Sequence, residues 1–386
     1  MPPVRINRKG ADRVAAGHPW IFASDVVDRG DAHAGDAVLV IRLQGAALGV
    51  AHYSSASQIA LRMLTDHVEP IDRAFYQSRI AAADAYRKRV VNGSSAYRLV
   101  HAEADLLPGL IVDRYGPYFT IQTLDQGMDR AKADIVAALA ELFAPRGIVE
   151  RNDAAVRERE KLPLLAGVVA GDVPDQVAVE MNGLTLYADL LRGQKTGIFL
   201  DQRENYVAAA RYTKGRALDC FTSTGGFALH LAAGCDAVEA VDSSGPNLEA
   251  ARRNASANGI GNIEFREADV FELLAGYAAA RRRFDLVVLD PPAFAKSRTK
   301  LEPAARGYKE INRRALELLK SGGVLVTCSC SHHVSEAMLL EIVAEASLDT
   351  HRRLRVLERR TQARDHPILL TVPETMYLKC LILEVL

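Results

Sequence analysis

Apolar and polar positions along this chain fall into three regimes. From residue 1 to about 72, short apolar runs such as Ala37-Val38-Leu39-Val40-Ile41 and Ala46-Ala47-Leu48-Gly49-Val50-Ala51 are broken by Gly, Asp and His, which predicts a small β domain. From 73 to about 190 the pattern is mixed. Residues 73–91 are rich in Ala and Arg and predict a helix, and 110–116 followed by 118–122 predict a hairpin. Residues 130–142 carry Ala, Ile and Leu at three- and four-residue spacing and predict a second helix. Residues 177–187 predict another hairpin, turning at Asn182-Gly183, a dipeptide suited to a tight turn. The order expected is strand, strand, helix, strand, strand. From about 196 onward strands alternate with helices, the strands near 216–221, 237–242, 263–268, 284–290, 322–328, 353–358 and 377–385. That alternation predicts an α/β fold with a parallel, doubly wound sheet, its last two strands supplying an antiparallel pair. Three domains are expected, at 1–72, 73–190 and 191–386.

The most informative stretch is Ala217-Leu218-Asp219-Cys220-Phe221-Thr222-Ser223-Thr224-Gly225-Gly226-Phe227, an apolar strand running through a glycine turn into a helix. Seventeen residues after Gly225, Asp242 ends a second strand, followed by Ser243 and, further on, Asn247. Such a unit binds an adenosine: the glycines let backbone N–H groups approach the ligand, and the carboxylate accepts both ribose hydroxyls. The glycines lack the G-x-G-x-x-G spacing of pyrophosphate cofactors, which points to S-adenosylmethionine; a plain strand–turn–helix unit is the bland alternative. In Glu267-Ala268-Asp269-Val270-Phe271, Asp269 is placed to meet the adenine amine with Phe271 near the ring, or else to cap a helix.

Two further strands deliver chemistry to the same expected sheet edge. Phe284 to Leu289 ends in Asp290-Pro291-Pro292-Ala293-Phe294, where the prolines stiffen a loop at the carboxyl edge of the sheet. In methyltransferases this loop faces both the methyl group and the target base. An aromatic directly after the second proline accompanies exocyclic-amine targets, and Ala293 stands there instead, with Phe294 one later. Gly323 to Thr327 leads into Cys328-Ser329-Cys330-Ser331-His332-His333. Carbon 5 of a pyrimidine is too weakly nucleophilic to attack a methyl sulfonium unless a thiolate first adds to carbon 6. Cys330 is the candidate nucleophile, since Cys330-Ser331-x-x-x-x-Glu336 resembles the spacing of the nucleophile segment in RNA cytosine-C5 methyltransferases; Cys328 lies deeper on the same strand face. Both cysteines as small buried hydrophobes is the alternative. The cysteine and histidine spacing does not suit a metal, and none is expected.

Gln194-Lys195-Thr196-Gly197-Ile198-Phe199-Leu200-Asp201-Gln202-Arg203-Glu204-Asn205 precedes the sheet. Phe199, Asp201, Arg203 and Asn205 are candidate cofactor contacts, with Arg203 pairing a carboxylate bidentately. Structured linker is the alternative. From Arg281 to Arg314 basic residues outnumber Asp285, Asp290, Glu302 and Glu310 and bracket the Asp290 loop, where they would meet phosphates. Solvated helix faces are the bland alternative for this run and the preferred reading of a second, Arg352, Arg353, Arg355, Arg359, Arg360 and Arg364. Trp20, Phe22 and Tyr53 are candidates for stacking on bases, with core packing the competing reading.

Composition changes this picture little. The 386 residues, 49% apolar and 25% charged, suit a soluble globular protein of two or three domains. Lys plus Arg (48) equals Asp plus Glu (48), so any nucleic-acid surface is local. Five cysteines without a C-x-x-C pair argue against a disulfide framework. No apolar run reaches membrane length, and the first residues lack an apolar signal core, so a cytoplasmic location is expected.

Together, Gly17-His18-Pro19-Trp20-Ile21-Phe22, the segment 194–205, Asp219 to Phe227, Asp290 to Phe294 and Ser329-Cys330-Ser331 resemble the bacterial large-subunit ribosomal RNA cytosine-C5 methyltransferase I family over nearly the whole chain. The resemblance implies an N-terminal β-rich PUA domain, a small α+β middle domain and a C-terminal Rossmann-like class I methyltransferase domain. It further implies S-adenosyl-L-methionine as cofactor, 23S rRNA or a large-subunit precursor as partner, frequent dimers, and a nucleophile at Cys330. The Cys328–Cys330 doublet and His332-His333 depart from the family pattern. A guanine-directed methyltransferase, a non-catalytic RNA-binding assembly factor and a nucleotide-dependent oxidoreductase stay open as alternatives.

Overall fold

The computed structural model describes residues 1–294 and 301–386. The chain forms two compact units, one of residues 1–181, 188–198 and 364–375, the other of 182–187, 199–363 and 376–386. Among the described residues no helix is long and apolar enough to cross a membrane.

The first unit contains two sheets. Six strands form the N-terminal one, in the spatial order Trp20–Phe22, Ile59–Thr65, Ala47–Tyr53, Ala37–Arg42, Pro3–Ile6 and Val26–Asp28. Alternating side chains close a core around Val4, Ile6, Ile21, Val38, Val40 and Leu61. Tyr53 packs in that core. Trp20 is half-buried, its indole donating to Glu103 Oε1 at 2.8 Å. The second sheet runs Leu165–Gly171, Gly147–Asn152, Tyr118–Thr123, Leu110–Tyr115 and Ala96–His101. Helices Arg73–Val90 and Lys132–Phe143 bury Ile80, Ile135 and Leu139 against it.

The middle segment corrects the sequence reading. Three of its five strands were not anticipated. The 177–187 hairpin stands outside this sheet as two strands, Val177–Met181 and Leu184–Ala188, with Asn182 and Gly183 at φ +54° and +82°. Gly147–Asn152 escapes a hydrophobicity pattern because Arg151 is buried in it. Its guanidinium pairs locally with Asp153 at 3.1 Å and also donates to the carbonyls of Leu190 (3.2 Å) and Gly193 (2.9 Å), which only the fold brings near.

The second unit is built on seven strands: β1 (Arg216–Cys220), β2 (Ala237–Asp242), β3 (Ile263–Glu267), β4 (Phe284–Leu289), β5 (Leu319–Ser329), β6 (Leu354–Arg360) and β7 (Lys379–Val385). Their spatial order is β3-β2-β1-β4-β5-β7-β6. The first five are parallel, and β7 runs antiparallel to both β5 and β6, as the sequence led one to expect. Near-continuous apolar strands are what a sheet covered on both faces requires. Leu218, Val287, Leu289, Leu325 and Leu383 pack with Tyr308 and Ile311 of helix Leu301–Leu318 and Leu339 of helix Glu336–Asp349. The strand order reverses between β1 and β4, which opens a crevice at the carboxyl ends of the strands.

Candidate active site

At that edge β1 ends in a loop of alternating handedness. Phe221, Ser223 and Gly225 have φ of +64°, +50° and +90°. Left-handed non-glycine residues are strained, so the loop is held by its surroundings. Asp219 provides part of the hold: its Oδ2 accepts from Thr222 Oγ1 at 2.6 Å and from the Ala228 amide at 2.9 Å. Asp242 provides the rest, with Oδ2 accepting from the Ser223 amide and Oδ1 from the Ser244 amide, both at 2.9 Å. Gly226, at the start of helix Gly226–Ala232, is required by a close approach, since a Cβ there would overlap the Tyr206 ring. Thr224 and Asn247 are half-buried beside this loop and Ser243 is exposed.

Asp219 is fully buried, and its Oδ1 has no hydrogen-bond partner among the described residues. Burial raises its pKa to about 7; the Thr222 and Ala228 bonds pull it down, while Asp290 and Asp242 push it up.

Asp269 caps the helix Val270–Ala279, accepting from the Glu272 amide at 3.1 Å, and is exposed. The capping alternative is therefore realised for one of its oxygens. Phe271 and Phe294 lie 6.0 Å apart by ring centroids, and Phe294 lies 4.7 Å from Tyr308. These aromatics form a cluster beside the Asp290 loop.

Asp290 follows β4, half-buried, and accepts from Gln202 Nε2 at 3.0 Å. Gln202 in turn accepts from Asn205 Nδ2 at 2.7 Å. Asn205 spends the rest of its amide on the Thr361 carbonyl (3.1 Å) and on Arg360 Nε (2.9 Å), so it reaches the site through Gln202. Asp201 is buried and accepts from Tyr377 Oη at 2.8 Å. Arg203 is buried with its guanidinium 3.6 Å from Glu204. Phe199 offers its carbonyl to Tyr206 Oη at 3.4 Å.

Cys330 comes directly after β5 and is half-buried, whereas Cys328 is fully buried opposite Cys380 of β7. Burial first, then Cys380 and Asp290, pushes the Cys328 thiol well up, which keeps it neutral. The two cysteines thus differ as the sequence suggested. Ser329 and Ser331, on either side of Cys330, both hydrogen-bond Tyr308 Oη, at 2.9 and 3.0 Å. Among the described residues no group of His, Cys, Asp and Glu could hold a metal.

Sequence reasoning missed Gln202, Tyr206, Tyr308 and Lys379. Gln202 lay inside a segment already singled out; the other three have apolar or distant neighbours and leave no local signal. The basic run also needs correction. Arg281, Arg282 and Arg283 precede β4, at the opposite end of the strand from Asp290, so a length of about 20 Å separates them. Arg282 binds Glu239 at 2.8 Å, and Arg306, Arg313 and Arg314 pair with Glu302, Glu310 and Glu317. Lys296, Arg298 and Lys300 lie outside the described residues. Of the second run, Arg355, Arg359 and Arg360 lie on strand β6 and not on a helix, and they pair with Glu384, Glu336 and Glu358.

Comparison with known proteins identifies the family. Residues 156–380 match the S-adenosylmethionine-dependent methyltransferase family and residues 4–66 a PUA-like domain. The chain is 43% identical over 377 residues to a ribosomal RNA large subunit methyltransferase I from Shewanella amazonensis, covering 95% of each protein. It is 41% identical to the same enzyme of Pseudoalteromonas atlantica, covering 96% of this chain and 95% of the relative. Among solved structures, a protein provisionally described as a methyltransferase and complexed with SAH superimposes over 100% of both chains, with a TM-score of 0.86 at 18% identity.

Proposed function

The chain belongs to the ribosomal RNA large subunit methyltransferase I family, and from that membership we propose that it methylates carbon 5 of a cytosine in 23S rRNA through a covalent Cys330 adduct. It is an S-adenosylmethionine-dependent methyltransferase with an N-terminal PUA-like domain. The observation that carries the finer reading is the placement of Cys330 after β5, on the strand neighbouring the one that ends in Asp290.

The chain's residues fit the cofactor. The orphaned Asp219 Oδ1 suits an ammonium or amide donor, and the left-handed turns at Phe221, Ser223 and Gly225 expose backbone toward the crevice. We assign Asp242 to the ribose hydroxyls, with Ser243 and Asn247 at its flank. Asp269 and Phe271 take the adenine end, and Phe199, Asp201, Arg203, Phe221, Thr224 and Gly225 the rest of the molecule. Asn205 acts behind them through Gln202. S-adenosylmethionine supplies an electrophilic methyl group and leaves as S-adenosylhomocysteine.

Asp290 and Phe294 hold the cytosine, which must leave its stack to be reached. The Cys330 thiolate adds to carbon 6 and the carbon 5–carbon 6 π pair moves to carbon 5. Carbon 5 takes the methyl group, loses its proton to a base, and the returning pair expels the thiolate. We assign residues 1–72 to RNA engagement, 73–190 to a middle domain and 191–386 to catalysis, with precursor rRNA met in the cytoplasm.

The test uses an rRNA transcript carrying 5-fluorocytidine, whose carbon 5 has no proton to lose. Wild-type protein should form a cofactor-dependent protein–RNA adduct stable to denaturation, and Cys330→Ala should form none. Adduct formation by Cys330→Ala, or methylation of guanine in the unmodified transcript, would overturn the reading.

A further inference from the structure

Lys379 has no part in the scheme above. It opens β7 opposite Ser329 of β5, one residue from Cys330, and only 3% of it is exposed. Its Nζ donates to the Ser331 carbonyl at 2.7 Å and the Tyr377 carbonyl at 2.9 Å, both neutral acceptors. Among the described residues no carboxylate forms an ion pair with it. An ammonium buried without counter-charge is costly. Burial accordingly lowers the Lys379 pKa to about 8, and the charge that opposes this loss is the thiolate of Cys330.

We propose that Lys379 is a positioning residue that supplies the counter-charge for the Cys330 thiolate. The inference rests on Cys330 as the nucleophile. The bond from Nζ to the Ser331 carbonyl pins the backbone just beyond Cys330, so charge and geometry are supplied by one side chain. A cation within ~4–6 Å lowers an acid's pKa by about 1–3 units. The thiol proton passes to solvent and Lys379 keeps its own. When the sulfur–carbon 6 bond forms, sulfur gives up its charge; when that bond breaks, the pair returns to sulfur beside the same ammonium.

Other ionisable groups stand on the neighbouring elements. Asp290 follows β4 and Asp201 accepts from Tyr377 Oη; Tyr308 on the helix Leu301–Leu318 is kept neutral by burial. Cys328 on β5 is neutral for the same reason and lies opposite Cys380 of β7. His332 and His333 follow Cys330 in the chain.

The experiment is a thiolate titration of the full-length protein by ultraviolet absorbance, each protein minus its Cys330→Ala counterpart, which removes the other four of the five cysteines. Wild-type Cys330 should ionise below the ordinary thiol value of about 8.5. Lys379→Met should raise the midpoint by a unit or more, a roughly tenfold smaller thiolate fraction at pH 7. Lys379→Arg, whose guanidinium stays charged, should keep it low. A wild-type midpoint at or above the ordinary value overturns the proposal even if Lys379→Met does not fold, and so does an equal midpoint in wild type and Lys379→Met. Activity of Cys330→Ala on rRNA is read separately. A low, Lys379-dependent midpoint with an active Cys330→Ala retires the nucleophile but keeps the ion pair. An inactive Cys330→Ala with an unshifted midpoint does the reverse.

Discussion

Two cysteines two positions apart on one strand end differ in environment, one inside the sheet and the other at its rim. Cys328 is held neutral by burial, while Cys330 emerges beside a buried ammonium. Removing the thiol at Cys330 should lower the methylation rate by about three orders of magnitude or more, since the barrier then lacks its covalent route. Cys328→Ala should leave the rate within about tenfold, and a steady-state assay with rRNA checks both. Asp219 makes a pH prediction. Its folded pKa of about 7 exceeds the ordinary carboxylate value, so the folded chain binds the extra proton. Stability from this group is therefore present below the ordinary value and is lost as pH rises toward 7. A cofactor that donates to Oδ1 favours the anion, so its binding runs the other way. Affinity for S-adenosylhomocysteine should rise as pH increases from 6 to 7, by up to about tenfold per unit, and level off above. Isothermal titration at several pH values checks this, and Asp219→Asn should flatten the dependence.

At the scale of elements, the site is a set of strand ends brought level by register. β1, β2, β4 and β5 deliver Asp219, Asp242, Asp290 and Cys330, and the antiparallel β7 brings Lys379 back to the same edge. The turn after β1 depends on space as well as conformation. Gly226→Ala should cost about 1–3 kcal/mol through overlap with Tyr206, measurable by denaturant unfolding, and weaken cofactor binding. Elements with a strong period were legible in advance: the seven strands of the second unit, the helix Arg73–Val90 and the Asn182-Gly183 turn all follow from local pattern. Ala96–His101, Gly147–Asn152 and Leu165–Gly171 were not. In Gly147–Asn152 the buried Arg151 breaks the apolar signature, and besides the nearby Asp153 its acceptors, the carbonyls of Leu190 and Gly193, lie some forty residues away. The same reason hides Lys379, whose importance comes from a strand partner nearly fifty residues distant. The carboxylates that end strands were legible because a single side chain at a fixed place in a β-turn-α unit announces itself. The side chains that position them, Gln202 and Tyr308 among them, have meaning only after folding.

For the whole molecule, formal charge is balanced, with Lys plus Arg equal to Asp plus Glu, and several arginines of the two basic runs, Arg282, Arg306, Arg313, Arg314, Arg355, Arg359 and Arg360, stand in ion pairs. A basic stretch in sequence is weak evidence for a basic surface when acids recur at helical spacing beside it. Ligand binding should be visible in global stability. At about a hundred times its Kd, S-adenosylhomocysteine should add about 2.7 kcal/mol to the unfolding free energy of the unit that binds it, read by calorimetry. Family membership and cofactor follow from the comparisons, and the reaction at carbon 5 is our proposal from the rim position of Cys330. The most direct test of that reaction is mass mapping, at nucleotide resolution, of 23S rRNA from cells with and without this gene. The account predicts the loss of one 5-methylcytosine, restored by the wild-type gene and not by Cys330→Ala. Loss of a methylated guanine, or an unchanged methylation map, would contradict it.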